Sequence, residues 1–265
     1  MGWLGVLAPA VVFGVLGGCV TAPLAPSVGA PGSDAHIPPY ARVPFQPFSR
    51  EAVIQLALRE WRGFGQVVVY PNTELPFDRE REEGLWQRVG DYWWEGLPLG
   101  NPDGAYTGIH DASGRVFSER EDANYAWSAA FIDYVMRKAG AGARFPYSST
   151  HSDYINAAAR HDPGIVVNAE RPESYAPQRG DLICMWREHR VLHFSDLPTD
   201  RFPGHCDIVI TVNPGALDVI GGNVDNSVSL KHVPVTPDGH LVDASGAIVD
   251  PDHPWFVVLR VAYDR

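Results

Sequence analysis

A hydroxyl, an imidazole and a side-chain amide, three groups that together perform nucleophilic acyl chemistry, stand at Ser128, His205 and Asn223. The Asn213-Pro214-Gly215 turn connects the last two. A three-residue loop centred on Pro214 sets His205 opposite Asn223 on paired antiparallel strands, where Cβ atoms lie roughly 4.5–5.5 Å apart. At that range the amide holds one imidazole nitrogen and fixes the tautomer. A four-residue loop would break the pairing. Asp207, two residues along the strand, shares the face of His205 and either competes with Asn223 as the orienting group or is solvated. An oriented histidine is half of a nucleophilic site. Ser128, in Tyr125-Ala126-Trp127-Ser128-Ala129-Ala130-Phe131, supplies the other half from the first turns of a helix, where the dipole and unpaired N–H groups favour developing negative charge.

Trp127, His151 and Asp207 are candidate substrate-binding residues around this set. His151, beside Tyr147 and Tyr154, either lines a cleft or is simply exposed at a helix start; aromatics such as Trp127 shape a cleft or, by default, a core. Cys206 adjoins His205, but neighbouring strand residues face opposite ways, which makes it a poor nucleophile. No metal site is assigned: His189 and His193 have i,i+4 spacing but lie in a loop between strands, and there is no His-Glu-x-x-His helix. No Gly-rich phosphate loop or Gly-x-Ser-x-Gly elbow occurs, and no cofactor is expected.

The elements that must position these groups read as helices first and strands second. Ser49 caps a helix through Gly63 with Val53, Leu56, Ala57 and Trp61 on a helical period. Val67 to Tyr70 is a short β-rich run, and Asp78 opens a charged helix, apolar at Leu85, Val89, Tyr92 and Trp93, that Pro98 ends. Residues 99–121 read as a surface loop. Asp122 is the expected N-cap of a helix whose stripe of Phe131, Ile132, Val135, Met136 and Ala139 stops at Gly140. A short helix begins near Thr150. Beyond Pro177, strands are expected at 181–186, 206–212, 217–222, 227–233 and 255–261. The sum is an α+β fold with N-terminal helices packed on an antiparallel sheet.

Charge and the N-terminus narrow the setting. Lys+Arg 21 against Asp+Glu 32 gives a net charge of −11, and a nucleic-acid binder, which needs a basic face, is excluded. Residues 1–48 hold a single acid, Asp34, and a single base, Arg42, so the charge sits on the folded body. Trp3 to Leu16 is an uncharged apolar run, long enough for a signal-peptide core and short of the ~20 residues of a membrane span. The basic residues that usually precede such a core are missing, and a misplaced start codon would account for that. Leu16-Gly17-Gly18-Cys19 resembles the bacterial lipobox, which implies a signal peptide at 1–18, lipid on Cys19 and a mature protein anchored to a membrane. Residues 19–48 carry seven prolines among Ala, Gly and Ser and read as an extended tether, leaving 49–265 as the folded domain. Cys184 and Cys206, among apolar strand residues, are expected as buried free thiols.

Trp127-Ser128-Ala129-Ala130-Phe131-Ile132, Gly180-Asp181-Leu182-Ile183, Gly204-His205-Cys206-Asp207-Ile208-Val209 and Gly221-Gly222-Asn223 resemble, in order and spacing, the CHAP and NlpC-type papain-like hydrolases of bacterial cell walls. Within that superfamily the chain most resembles the bacterial domain of unknown function numbered 2272, over about residues 49–265. The resemblance implies a papain-like fold and the roles of nucleophile, base and orienter for Ser128, His205 and Asn223. It also implies peptidoglycan peptides or a related amide as substrate, and, with Val20 after the lipidated cysteine, a place on the periplasmic face of the outer membrane. Ser128 departs from the family pattern, which has cysteine there. A hydroxyl must lose its proton during attack, whereas a thiol is partly ionised at pH 7, so the departure marks either a serine hydrolase or a pseudoenzyme that binds without cutting.

Overall fold

The computed structural model describes residues 1–2, 47–70, 78–187 and 191–264. The signal segment, Cys19, nearly all of the tether and His189 lie outside the described residues. Phe48, counted with the tether above, is fully buried and packs on Tyr263.

The first helix, α1 (Arg50–Gly63), starts as its sequence indicates: the Ser49 hydroxyl accepts from the Ala52 N–H at 3.2 Å. Strand β1 (Val67–Val69) follows. The helix expected from Asp78 is instead a short 3-10 turn at Arg79–Arg81 and then α2 (Leu85–Gly96). Gly84 separates the two by taking φ +87°, a left-handed conformation that ends any continuous helix there. Likewise Asp122 caps nothing. Residues Glu119–Tyr125 form a 3-10 segment, and α3 (Ser128–Lys138) begins five residues later than expected, with Trp127 as its N-cap and Ser128 as its first helical residue. Helix α4 (His151–Ala159) completes the helical layer.

Seven strands form one mixed sheet: β1, β2 (Val167–Glu170), β3 (Leu182–Trp186), β4 (Gly204–Asn213), β5 (Ala216–Gly221), β6 (Ser229–Pro234) and β7 (Trp255–Val261). Their order is β1-β6-β5-β4-β3-β7-β2. All neighbours pair antiparallel except β1 and β6, which run parallel at one edge, so the expectation of a wholly antiparallel sheet is corrected. Strand β2 was not expected; it is a four-residue edge strand that ends just before Pro172, too short to show a period.

Both faces of the sheet are covered, which is why β3 is buried along its whole length. Leu182, Cys184, Trp186, Cys206, Ile208 and Leu259 point into the helical layer. Ile183, Met185, Val209, Val219, Trp255 and Val258 point the other way, onto Val235 and Leu241 of the β6–β7 connection.

Cys184 and Cys206 are directly opposed on β3 and β4 and form a disulfide, overturning the expectation of free thiols. Their Cα atoms are 4.1 Å apart and both face the helical layer; single-strand patterns gave no sign that these two strands are neighbours in this register. Thiol counting under denaturing conditions should find neither cysteine free, and reduction should lower stability by about 3 kcal/mol, the loop entropy of a closure of this length.

Candidate active site

The β4–β5 turn decides how the sheet delivers the site. It is tighter than the three-residue loop expected: Asn213 pairs with Ala216, leaving only Pro214 and Gly215 in the turn, the latter at φ +79°. A bulge between Val209 and Thr211 then shifts the register back by one, so Val209 faces Val219 and Ile208 faces Ile220. The two offsets cancel over the paired stretch, which ends at Ile208 and Ile220; Asn223 lies beyond the end of β5. Gly221 and Gly222 permit a close approach. A Cβ on Gly221 would overlap the Asp207 carboxylate, and one on Gly222 would lie 2.5 Å from Phe131 Cβ, so β5 passes the start of α3 only without side chains.

A cleft of about 680 Å³ opens here, lined by Ser128, His151, Arg187, His205, Asn223 and Lys231 among others. Ser128 is 3% exposed, and its Oγ lies 2.6 Å from His151 Nε2. On the other side of the same ring, His151 Nδ1 contacts the Tyr154 hydroxyl one turn along α4. Burial, reinforced by the charge nearby at His205 and Arg187, holds the His151 imidazole well below its usual value, so it is neutral at pH 7. At the start of α3 the first N–H groups have no intrahelical partner and present a partial positive charge beside Ser128.

His205 lies behind this pair, its ring centroid 5.4 Å from that of His151. It is fully buried and both nitrogens are engaged: Arg187 Nη2 donates to Nδ1 at 3.0 Å, and Nε2 meets Asp207 Oδ1 at 2.7 Å. Because a guanidinium can only donate, Nδ1 is the acceptor and the proton sits on Nε2. Burial pushes this imidazole down to about 4, against the pull of Asp207. Asp207, also fully buried, gives its second oxygen to Lys231 Nζ at 2.7 Å. Burial alone would raise the Asp207 carboxyl; Lys231 and His205 hold it well below the usual carboxylate range.

Sequence reasoning therefore named the right neighbourhood and misassigned contacts within it. Ser128, His151, His205 and Asn223 share one cleft. The group touching Ser128 is His151, and the group touching His205 is Asp207. Asn223 lines the cleft at φ +54°, and among the described residues no hydrogen bond joins it to His205. Asp207 is bound inside the sheet and is not among the cleft-lining residues. Trp127 is core: it is 1% exposed, stacks near Phe64 and Tyr92, and donates its indole N–H to Glu80. Lys231, Arg187 and Tyr154 went unassigned. The available signal for Lys231 was its phase, since it shares the inward parity of Val233 on β6.

Asp78, Glu80 and Asp122 bring carboxylate oxygens within 4.8 Å of one another, the described group best able to hold a cation. Protein groups already engage two of them, Trp127 on Glu80 and Arg81 on Asp122 at 2.7 Å. Burial, with mutual repulsion added, pushes Glu80 up to about 8 and Asp122 up to about 6, so protonation already relieves the crowding.

Fold and site together define a mixed α/β protein with a serine–histidine pair at a helix start, facing a cleft beside a mixed sheet. The sequence model of the family described as "Uncharacterized protein conserved in bacteria (DUF2272)" matches residues 80–261, from the turn before α2 through β7. The chain belongs to that family, in agreement with the resemblance read from its motifs. No curated protein and no solved structure matches the chain.

Proposed function

We propose that this chain is a papain-like envelope hydrolase working through serine on peptidoglycan peptides or a related amide or ester. The observation that carries the reading is the 2.6 Å contact between Ser128 Oγ and His151 Nε2 at the start of α3, inside the cleft. In the working tautomer His151 Nδ1 carries the ring proton and donates it to the Tyr154 oxygen, which frees Nε2 to take the Ser128 proton. Ser128 Oγ then bonds to the acyl carbon, and the α3 N–H groups face the oxyanion. Collapse breaks the bond to the leaving group, which takes the proton from His151; water repeats the sequence and releases the acid. His205, Asp207 and Lys231 form the floor behind His151. The papain-like likeness rests on the order of the Ser128 and His205 motifs and by itself gives the role of base to His205; the contact at Ser128 gives it to His151 on α4.

A fluorophosphonate probe tests this: mass spectrometry should find the label on the peptide holding Ser128, and an unlabelled folded protein would overturn it. One observation favours a second reading, a peptide-binding pseudoenzyme, namely serine where the resembled hydrolases have cysteine. A cleft that binds peptide and refuses the probe would establish that reading.

The proposal includes attachment through lipid on Cys19. Among the described residues no helix is long and apolar enough to cross a membrane. Mass spectrometry of the mature N-terminus should show a lipid-modified Cys19 as first residue. Retention of residue 1, or membrane fractionation of Cys19→Ala, would refute the anchor.

A further inference from the structure

Arg187 directly follows β3, where its backbone N–H donates to Pro203 O at 2.8 Å, and its side chain lines the cleft that holds Ser128 and His151. A guanidinium presents five donors in a planar fork. Among the described residues one of them is used, by His205 Nδ1. Among the described residues no carboxylate lies within ion-pair distance of Arg187. Asp207 commits its two oxygens to His205 and Lys231, Asp122 is paired with Arg81, and Asp225 stands exposed at the rim. Burial disfavours the Arg187 charge, and Asp207 and Asp225 support it only from a distance. Since Lys231 and Asp207 cancel, Arg187 is left, among the described residues, as a partly desolvated cation without an ion-pair partner in the cleft that holds Ser128.

A desolvated guanidinium is complemented best by a planar two-oxygen anion. A single cation suits a single negative charge, and Asp122 and Asp225 on the cleft wall disfavour a dianion such as phosphate. We propose that Arg187 is a carboxylate receptor, so that the cleft takes a peptide or amide bearing a free carboxylate a few bonds from the carbonyl that Ser128 attacks. The bond cut rests on the hydrolase reading above; what is bound rests on Arg187.

Calorimetric titration of the Ser128→Ala protein, which binds without turnover, with N-acetyl-alanyl-alanine and with its C-terminal amide decides the matter. The acid should bind about 10- to 100-fold more tightly, as expected of a charge-assisted hydrogen-bonded pair. Adding Arg187→Gln should erase the preference, and adding Arg187→Lys, which keeps the charge and loses the fork, should reduce it. Equal affinities, no binding of either ligand, or a preference unchanged in Arg187→Lys or surviving in a folded Arg187→Gln would overturn the receptor. The wild-type protein separates the two claims. A binding preference without hydrolysis overturns the hydrolase and leaves the receptor, whereas hydrolysis of acid and amide at equal kcat/KM overturns the receptor and leaves the hydrolase.

Discussion

Ser128→Ala should lower hydrolysis of a p-nitrophenyl ester by about 10³-fold or more while the protein stays folded, because the substitution removes the attacking atom and a single hydrogen bond worth about 1 kcal/mol. His151→Ala should be equally severe, and the double variant no worse than either single one, since residues acting as one unit are not additive. The pH profile carries the identity of the base. Burial keeps His151 neutral well below the usual imidazole value, so wild-type kcat/KM should hold as pH falls through 6.5. A loss of activity centred near 6.5 would point to an exposed histidine instead. Ser128→Cys extends the test. Cys184 and Cys206 are joined, so the introduced thiol, set at a helix start against an imidazole, should be the iodoacetamide-reactive cysteine of the folded domain. An inert thiol there, with Ser128→Ala as active as wild type, would remove serine from the mechanism.

The parts of the fold legible in the sequence are those carried by local rules. Ser49 caps α1 because a hydroxyl there meets a free N–H two residues into the helix. The apolar stripe of α3 and the alternation along β4 report faces that tertiary packing then uses. Non-local pairings were not legible. The two cysteines were each placed correctly on a strand, and only the adjacency of β3 and β4 makes them a disulfide. The register expected between His205 and Asn223 rests on a loop length that the structure does not have, and Asn223 lies beyond the end of β5.

The site followed the same division. Ser128 at a helix start and His205 at a strand end are local statements, and both hold as placements. That the first residue of α4 should reach the first residue of α3 depends on how two helices meet, which no spacing between residues 128 and 151 encodes. Asp207 displaced Asn223 as the partner of His205 for a steric reason: with no side chain at Gly221, the space across the strand is free for a carboxylate from the neighbouring position on β4. The shared face of His205 and Asp207 is legible along the strand, whereas the choice between Asp207 and Asn223 depends on the neighbouring strand.

Asp207→Ala should destabilise the domain by about 3–5 kcal/mol, because it leaves the buried Lys231 ammonium without its anion and His205 without its acceptor. Removing both members of the ion pair, as in Asp207→Asn with Lys231→Met, should cost less than the single change, since no uncompensated charge then stays buried. Chemical denaturation of Asp207→Asn, Lys231→Met and the double variant measures this; a double variant as unstable as the sum of the two singles would mean that Lys231 and Asp207 are not coupled. Acid titration resolves the same cluster by sign. His205 is pushed down to about 4 by burial, below the value of about 6.5 in the unfolded chain, so the unfolded state binds its proton first. The His205 contribution is complete above pH 6.5 and falls by about 3 kcal/mol as pH drops from there to 4, with the buried His151 adding to the loss in the same direction. Asp207, held low by Lys231 and His205 against its burial, adds a further loss only below the ordinary carboxylate range. His205→Gln should reduce the slope of the upper part of that profile, the buried His151 keeping the remainder, while leaving the lower part in place, and a slope unchanged between pH 6.5 and 4 would assign the acid sensitivity to groups other than His205.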